Sequence, residues 1–200
     1  MKEIILATGN RHKVVEIKEI LRGMPVKIVS LAELKNAPEV VEDSDTLEEN
    51  AAKKARIVAR HYHRWALADD SGLEVAHLRG EPGVYSARWA GPGCTYEDNN
   101  KKLLSMMAGV PKSKRGARFR CVIALSDPRG KVWTAEGKIA GRITDKARGK
   151  NGFGYDPVFL VPTYGKTFAE LGDRTKNRIS HRSRALRRAQ KLITTLVPEK

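Results

Sequence analysis

The spacing of apolar residues changes several times along the chain, and each change marks an element. Ile4, Ile5, Leu6 and Ala7 form a continuous apolar run, which predicts a short buried strand within Lys2 to Ala7. Thr8-Gly9-Asn10 ends it. Val14, Ile17, Ile20 and Leu21 then recur at helical spacing until Gly23-Met24-Pro25 stops the helix. Strand, small polar turn and helix make the opening half of a βαβ unit. Val26–Ser30 reads as a second strand, followed by a polar, acidic connection through Glu39–Asp45. Thr46-Leu47-Glu48-Glu49 has the capping-box pattern, so a helix is expected from Thr46 to about Tyr62. Trp65 to Ala68 reads as the end of a buried strand, running into Asp69-Asp70, with Ser71-Gly72 as the turn that terminates it.

The second half continues the alternation. The Gly- and Pro-rich stretch Arg79–Gly91 carries bulky aromatics and reads as an ordered loop. Tyr96 to Met107 predicts a helix with Leu103, Leu104 and Met107 as its apolar stripe. Ala117–Leu125 and Val132–Ile139 read as strands joined by a tight turn at Asp127-Pro128-Arg129-Gly130, an antiparallel hairpin that implies a mixed sheet. Gly137, Gly141, Gly149, Gly152 and Gly154 suggest a long basic loop. Ser180 to Leu196 predicts a closing helix with Ala185, Leu186, Ala189, Leu192, Ile193 and Leu196 on one face and Arg184, Arg187, Arg188 and Lys191 on the other. The pattern is that of an α/β protein.

Two hundred residues suffice for one sizeable core, taken here as a single domain over 1–200. The chain has no run of 18 apolar residues and begins directly with a strand, so neither a membrane span nor a signal peptide is expected. Cys94 and Cys121 lack CxxC or Cys/His spacing, which argues for buried thiols in a reducing cytoplasm. The net charge of +15 favours polyanionic partners: nucleic acid, an acidic membrane surface or free nucleotides.

Chemistry concentrates at a few points. Asp69 and Asp70 repel each other unless cations or hydrogen-bond donors compensate, and their place at the end of a strand is where α/β sheets bind ligands. Oxygen-rich sites of this kind suit Mg²⁺ when a phosphorylated substrate completes the shell. The Thr8–Lys13 turn aims backbone amides and a helix N-terminus outward, which suits phosphate, although it lacks Walker spacing. Glu49 has a structural explanation in the capping box, and Lys53 stands one turn later, placed for an i,i+4 pair with it. Alternatively, both face the acids, Glu49 as a metal ligand and Lys53 as a phosphate contact. Glycines around Phe153 leave its ring open to a planar ligand, and Asp156 is placed to orient a neighbouring donor; a strand-entry bulge is an equally natural account.

Taken in order, Thr8-Gly9-Asn10-Arg11-His12-Lys13, Thr46-Leu47-Glu48-Glu49-Asn50-Ala51, Ala68-Asp69-Asp70-Ser71-Gly72-Leu73, Pro82–Arg88, Gly152-Phe153-Gly154-Tyr155-Asp156-Pro157 and Ile179-Ser180-His181-Arg182 form a set. This set resembles the inosine triphosphate pyrophosphatase (Ham1/RdgB) family of non-standard purine nucleotide pyrophosphatases, over about residues 4 to 193. The resemblance implies a fold with a long mixed central sheet flanked by helices, in two lobes with the active-site cleft between them. It implies a cytoplasmic, homodimeric, Mg²⁺-dependent hydrolase. Such an enzyme converts inosine, deoxyinosine or xanthosine triphosphate to the monophosphate and pyrophosphate, cleansing the nucleotide pool.

By matching positions, the resemblance also implies site roles. Thr8, Gly9, Asn10, Arg11, His12 and Lys13 would hold the triphosphate, with Lys53 assisting and Ser71 touching substrate. Asp70 would be proton acceptor and metal ligand, Glu49 the second acidic ligand and Asp69 a support. Phe153, Gly154, Tyr155 and Asp156 would form the base platform, and Lys176, His181 and Arg182 would meet the base edge. Related Maf-type pyrophosphatases share the fold, but the Phe153 platform and the Ser180-His181-Arg182 run argue against that substrate class. Nucleic-acid binding as the function is not expected, because the acidic cluster would repel a phosphate backbone.

Overall fold

The computed structural model describes residues 2–197. Seven strands form one mixed sheet in the order β2-β1-β3-β4-β5-β6-β7. In sequence, β1 is Lys2–Leu6, β2 Val26–Ser30, β3 Trp65–Val75, β4 Gly116–Ser126, β5 Val132–Ile143, β6 Phe159–Val161 and β7 Lys166–Thr167. β1 is parallel to both β2 and β3, whereas β6 is antiparallel to β5 and β7. The α-helices are α1 (Arg11–Ile20), α2 (Leu47–Tyr62), α3 (Tyr96–Met106), α4 (Asp173–Ile179) and α5 (His181–Leu196). Among the described residues, no helix is long and apolar enough to cross a membrane.

The chain divides into two compact units. The first comprises Met1–Asp70, Cys121–Gly137 and His181–Lys200; the second comprises Ser71–Arg120 and Lys138–Ser180. In the first unit, Ile4, Leu6 and Leu67 pack with Ile17 and Leu21 and with Ala185, Leu186, Ala189 and Ile193 of α5. That is the apolar face expected of α5, with Leu192 and Leu196 at its margin. Removing this stripe from water is what holds α1 and α5 to the sheet. In α2 the buried positions Leu47, Asn50, Ala51, Lys54, Ala55, Val58 and Ala59 follow helical spacing. Thr46 caps α2 by accepting from the Glu49 amide, and His63 ends it in the left-handed region at φ 51°. In the second unit, Leu73, Val75, Leu103, Met107, Phe119, Phe159 and Phe168 form a separate core.

Two glycine readings are corrected. Ser71-Gly72 does not end the strand: β3 continues to Val75. A Cβ on Gly72 would lie 2.4 Å from the Gly83 carbonyl oxygen, so this glycine serves close approach of two backbones. Leu73 N–H then donates to Ser86 Oγ at 2.9 Å, tying the following loop to the strand. Gly137 and Gly141 likewise belong to β5, not to a loop. At Gly137 a Cβ would stand 2.2 Å from the His181 carbonyl oxygen, so the start of α5 rests directly on the strand backbone. The expected turn between β4 and β5 forms, with Asp127 Oδ1 accepting from the amides of Arg129 and Lys131. Of the cysteines, Cys121 is buried but Cys94 is half-buried.

Candidate active site

Successive strand residues point to opposite faces, and this separates the two adjacent acids. Asp69 shares a face with Leu67 and meets α1 and α5. Its carboxylate takes Arg182 Nε at 3.0 Å, the Lys13 ammonium and the Cys121 thiol, whose Sγ is 3.0 Å away. Arg182 also reaches Glu16 at 2.5 Å. Asp70 turns to α2, where Lys54 Nζ lies 3.1 Å from its Oδ1 and 3.0 Å from Glu42 Oε1. The same ammonium donates to the Asp69 carbonyl at 2.9 Å.

These surroundings drive the two carboxyls apart in acidity. Burial opposes ionisation of Asp69, but Arg182 and Lys13 outweigh it and hold the group well below the ordinary carboxylate range. Burial dominates at Asp70 and pushes it up to about 6, against the pull of Lys54 and Lys13. For Lys54, burial works against the charge, yet Asp70, Glu42 and Asp69 together raise its pKa. Arg182 is raised in the same way, its desolvation outweighed by Asp69 and Glu16. Paired titratable groups with diverging acidities mark division of labour: one acid fixed as an anion, the other able to exchange a proton near neutrality.

The Thr8–Lys13 segment forms the β1–α1 turn. Asn10 caps α1, its Oδ1 accepting from the His12 amide at 3.0 Å and the Lys13 amide at 3.3 Å. Thr8 Oγ1 accepts from Asn10 N–H at 3.2 Å. Arg11 and His12 are exposed, and a Cβ on Gly9 would meet no atom within 4 Å, so the space beside it is open.

In the second unit, Phe153, Asp156 and Lys176 form a cluster of their own. Asp156 Oδ2 accepts from the Phe153 amide at 2.8 Å and from Lys176 Nζ at 2.5 Å. Lys176 Nζ lies 4.5 Å from the Phe153 ring centroid, a cation–π contact in a buried setting. Gly152 has φ +76°, and a side chain there would collide with Asp156. Asn100 Nδ2 donates to the Gly154 carbonyl, and the Tyr155 hydroxyl donates to that of Ser86. Burial also raises the Tyr155 pKa. Ser71 lies within β3, and His181 is buried at the start of α5.

Among the described residues, no ion pair or side-chain hydrogen bond joins two expected site residues, Glu49 and Lys53, to Asp70. Lys53 pairs with Asp43 at 2.6 Å, not with Glu49. Glu49 is exposed in the first turn of α2. The residues grouped with Asp70 are Lys54 and Glu42, neither singled out from sequence. Lys54 left a signal: with Leu47, Ala51 and Val58 it falls on the buried stripe of α2, where an unpaired lysine would be costly. Glu42 left none, because it sits in a connection without regular spacing. Among the described residues, no three His, Cys, Asp or Glu side chains group to hold a metal unaided.

A parallel βαβ start, a capped helix beside open space, and buried lysines set against two carboxylates define an α/β protein equipped for phosphate chemistry. The chain belongs to the Ham1 family, whose model matches residues 4–192. A dITP/XTP pyrophosphatase from Thermoanaerobacter sp. (strain X514) is 52% identical over 198 residues, covering 99% of this chain and 100% of the relative. The solved HAM1 protein from Coxiella burnetii superposes with a TM-score of 0.89 at 41% identity, covering 98% and 100% of the two chains. The Staphylococcus aureus Ham1 protein gives 0.86 at 40% identity, covering 97% and 99%.

Proposed function

We propose that this protein hydrolyses non-standard purine nucleoside triphosphates, dITP, ITP and XTP, to the monophosphate and pyrophosphate. The observation that carries the reading is the pairing of Asp70, an acid with a pKa near 6, with the buried Lys54 ammonium. The pyrophosphatase activity for which relatives about half identical over the full chain are named supports the substrate class.

Phosphoryl transfer places negative charge on oxygens, and the protein's task is to position and neutralise it. Lys13 and the Thr8–Asn10 turn receive the phosphates. Asp70 orients the attacking water and takes its proton, a task suited to a carboxylate ionised at neutral pH but more basic than usual. Asp69, held by Arg182 and Lys13, fixes Lys13 and the strand end. Asp70 and Glu42, which both reach the Lys54 ammonium, are the hard oxygen donors that would hold a Mg²⁺, its remaining ligands coming from substrate and water. Glu42 thereby takes the role that family resemblance gives to Glu49. Bound there, Mg²⁺ would supply charge neutralisation on the phosphate chain. Phe153 stacks on the base, with Lys176 and Asp156 fixing the platform. We further propose a cytoplasmic homodimer.

The test is hydrolysis of inosine, xanthosine, guanosine and adenosine triphosphates with and without Mg²⁺, scoring pyrophosphate separately from phosphate. Metal-dependent pyrophosphate release, strongest for inosine or xanthosine, is expected. Release of single phosphates would put the cleaved bond elsewhere.

A further inference from the structure

The net charge of +15 is not shared evenly. The second unit has eighteen Lys and Arg against eight Asp and Glu, so ten of the fifteen net charges fall there. Part of that excess converges on a cavity of about 410 Å³ lined by Lys112, Arg115, Arg142, Asp145, Lys146 and Arg148, with Ile143, Thr144 and Leu160 completing its wall. The cations differ in what they already do. Arg115 is buried and committed, donating to the carbonyls of Val110, Met107 and Thr144 and pairing with Asp145 at 2.9 Å. That contact occupies the one acidic residue of the lining. Lys112, Arg142 and Lys146 are exposed, and no ion pair or side-chain hydrogen bond engages them among the described residues. Arg148 Nε lies 3.6 Å from Glu170 Oε2, an ion pair too long for a hydrogen bond, so this buried N–H still lacks a hydrogen-bond acceptor.

We propose that this cavity is an anion site for a linear phosphate chain, either pyrophosphate or the triphosphate tail of a nucleotide. Three unengaged cations and an arginine held only by a long ion pair to Glu170 repel one another, and an anion with several charges relieves that repulsion. Guanidinium forks at Arg142 and Arg148 match phosphate oxygens in a bidentate fashion, with lysines as point charges beside them. A concave cavity of this size suits a compact, densely charged ligand, whereas an acidic peptide spreads its carboxylates along an extended chain. The site shares no residue with Lys13, Lys54, Asp69 or Asp70.

Occupation would also reach the platform loop through the backbone. Thr144 N–H donates to Val158 O, Arg148 N–H to Pro157 O and Asn151 N–H to Ala169 O, so the cationic segment is stitched to residues that follow Phe153.

The experiment is calorimetric titration of the metal-free full chain at low ionic strength, with pyrophosphate, inorganic phosphate, an α,β-methylene nucleoside triphosphate and a short single-stranded DNA. The parent is compared with the Arg142→Ala/Lys146→Ala double variant. Both residues are exposed, so the melting temperature should hold, as should initial turnover of dITP before pyrophosphate accumulates. The expected result is a class of pyrophosphate site that weakens at least about tenfold in the variant. Tighter binding of the methylene nucleotide at the same site would make nucleotide the source; equal binding would mean that the phosphate chain alone is read. Identical pyrophosphate isotherms for parent and variant would overturn the proposal. So would loss of DNA binding alone, which would give the cavity to nucleic acid. If the parent fails to hydrolyse dITP, the functional reading falls while the isotherms still decide the cavity.

Discussion

Arg182 Nε stands 3.0 Å from Asp69 Oδ2, with 2% and 0% of the two side chains exposed. The Glu16 contact on the other side makes the guanidinium the centre of a buried acid–base–acid triad. Breaking such a pair strands an uncompensated charge, so Arg182→Ala is expected to cost about 3–5 kcal/mol of stability, measured by urea unfolding. Arg182→Lys keeps the charge but loses the fork and should cost less. Equal stability of Arg182→Ala and the parent would show that the triad contributes nothing net. Any change in base preference is best read in the lysine variant, where unfolding does not dominate.

Asp70→Asn should leave the fold intact and remove turnover. It should also change the pH dependence of stability. The folded carboxyl, at about 6, binds a proton in a range where the unfolded one, near 3.8, has released it. Stability from this group is therefore present below the unfolded pKa and is lost as pH rises through about 6. Asn carries no such dependence, so in chelator the variant should gain on the parent between pH 4 and pH 6, by roughly 2–3 kcal/mol at the plateau. A gap that is flat with pH would remove the raised acidity constant from the account.

Lys54→Met takes away the cation between Asp70 and Glu42. Turnover should fall steeply, and the acid limb of any residual rate profile should move to higher pH, because Asp70 loses its main charge partner. An unmoved limb would separate that limb from Asp70.

Glu42→Gln and Glu49→Gln separate the two candidates for the second metal ligand. Mg²⁺ titration of turnover should show a half-maximal concentration raised about tenfold or more for Glu42→Gln and nearly unchanged for Glu49→Gln. The reverse order would return the role to Glu49.

Gly72→Ala tests the backbone approach in β3. A methyl group would meet the Gly83 carbonyl oxygen at 2.4 Å, and neither backbone yields freely. The expected loss is about 1–3 kcal/mol in urea unfolding, with α2 and its Lys54 contacts untouched.

Long amphipathic segments were legible before any coordinates. α1 and α5 repeat their apolar spacing often enough to declare both type and buried face, while β1 showed as an apolar run and α2 through its cap. What escaped was short or ambiguous. β6 and β7 have three and two residues, and α4 has seven, too few for a period to show. Gly72 and Gly141 were read as breaks because sequence does not distinguish a turn glycine from one that admits a neighbouring backbone or ring. The acids Asp69 and Asp70 were plain, but their opposite orientations needed the knowledge that the strand runs through them. Lys53 was singled out by its charge spacing from Glu49 and Lys54 was passed over, although helical phase puts Lys54, not Lys53, among the buried positions.

The twofold repeat of β3 makes the division between its acids depend on a count of residues. Inserting or deleting one residue between Trp65 and Ala68, with pairing to β1 kept, would turn Asp69 toward Lys54 and Asp70 toward Arg182. One acid would then fall at the other's position while the second moved a residue beyond it, to the place of Ala68 or Ser71, and the exchangeable proton would belong to the wrong residue. The length of this segment is thus a coding constraint of its own, separate from the identity of its residues.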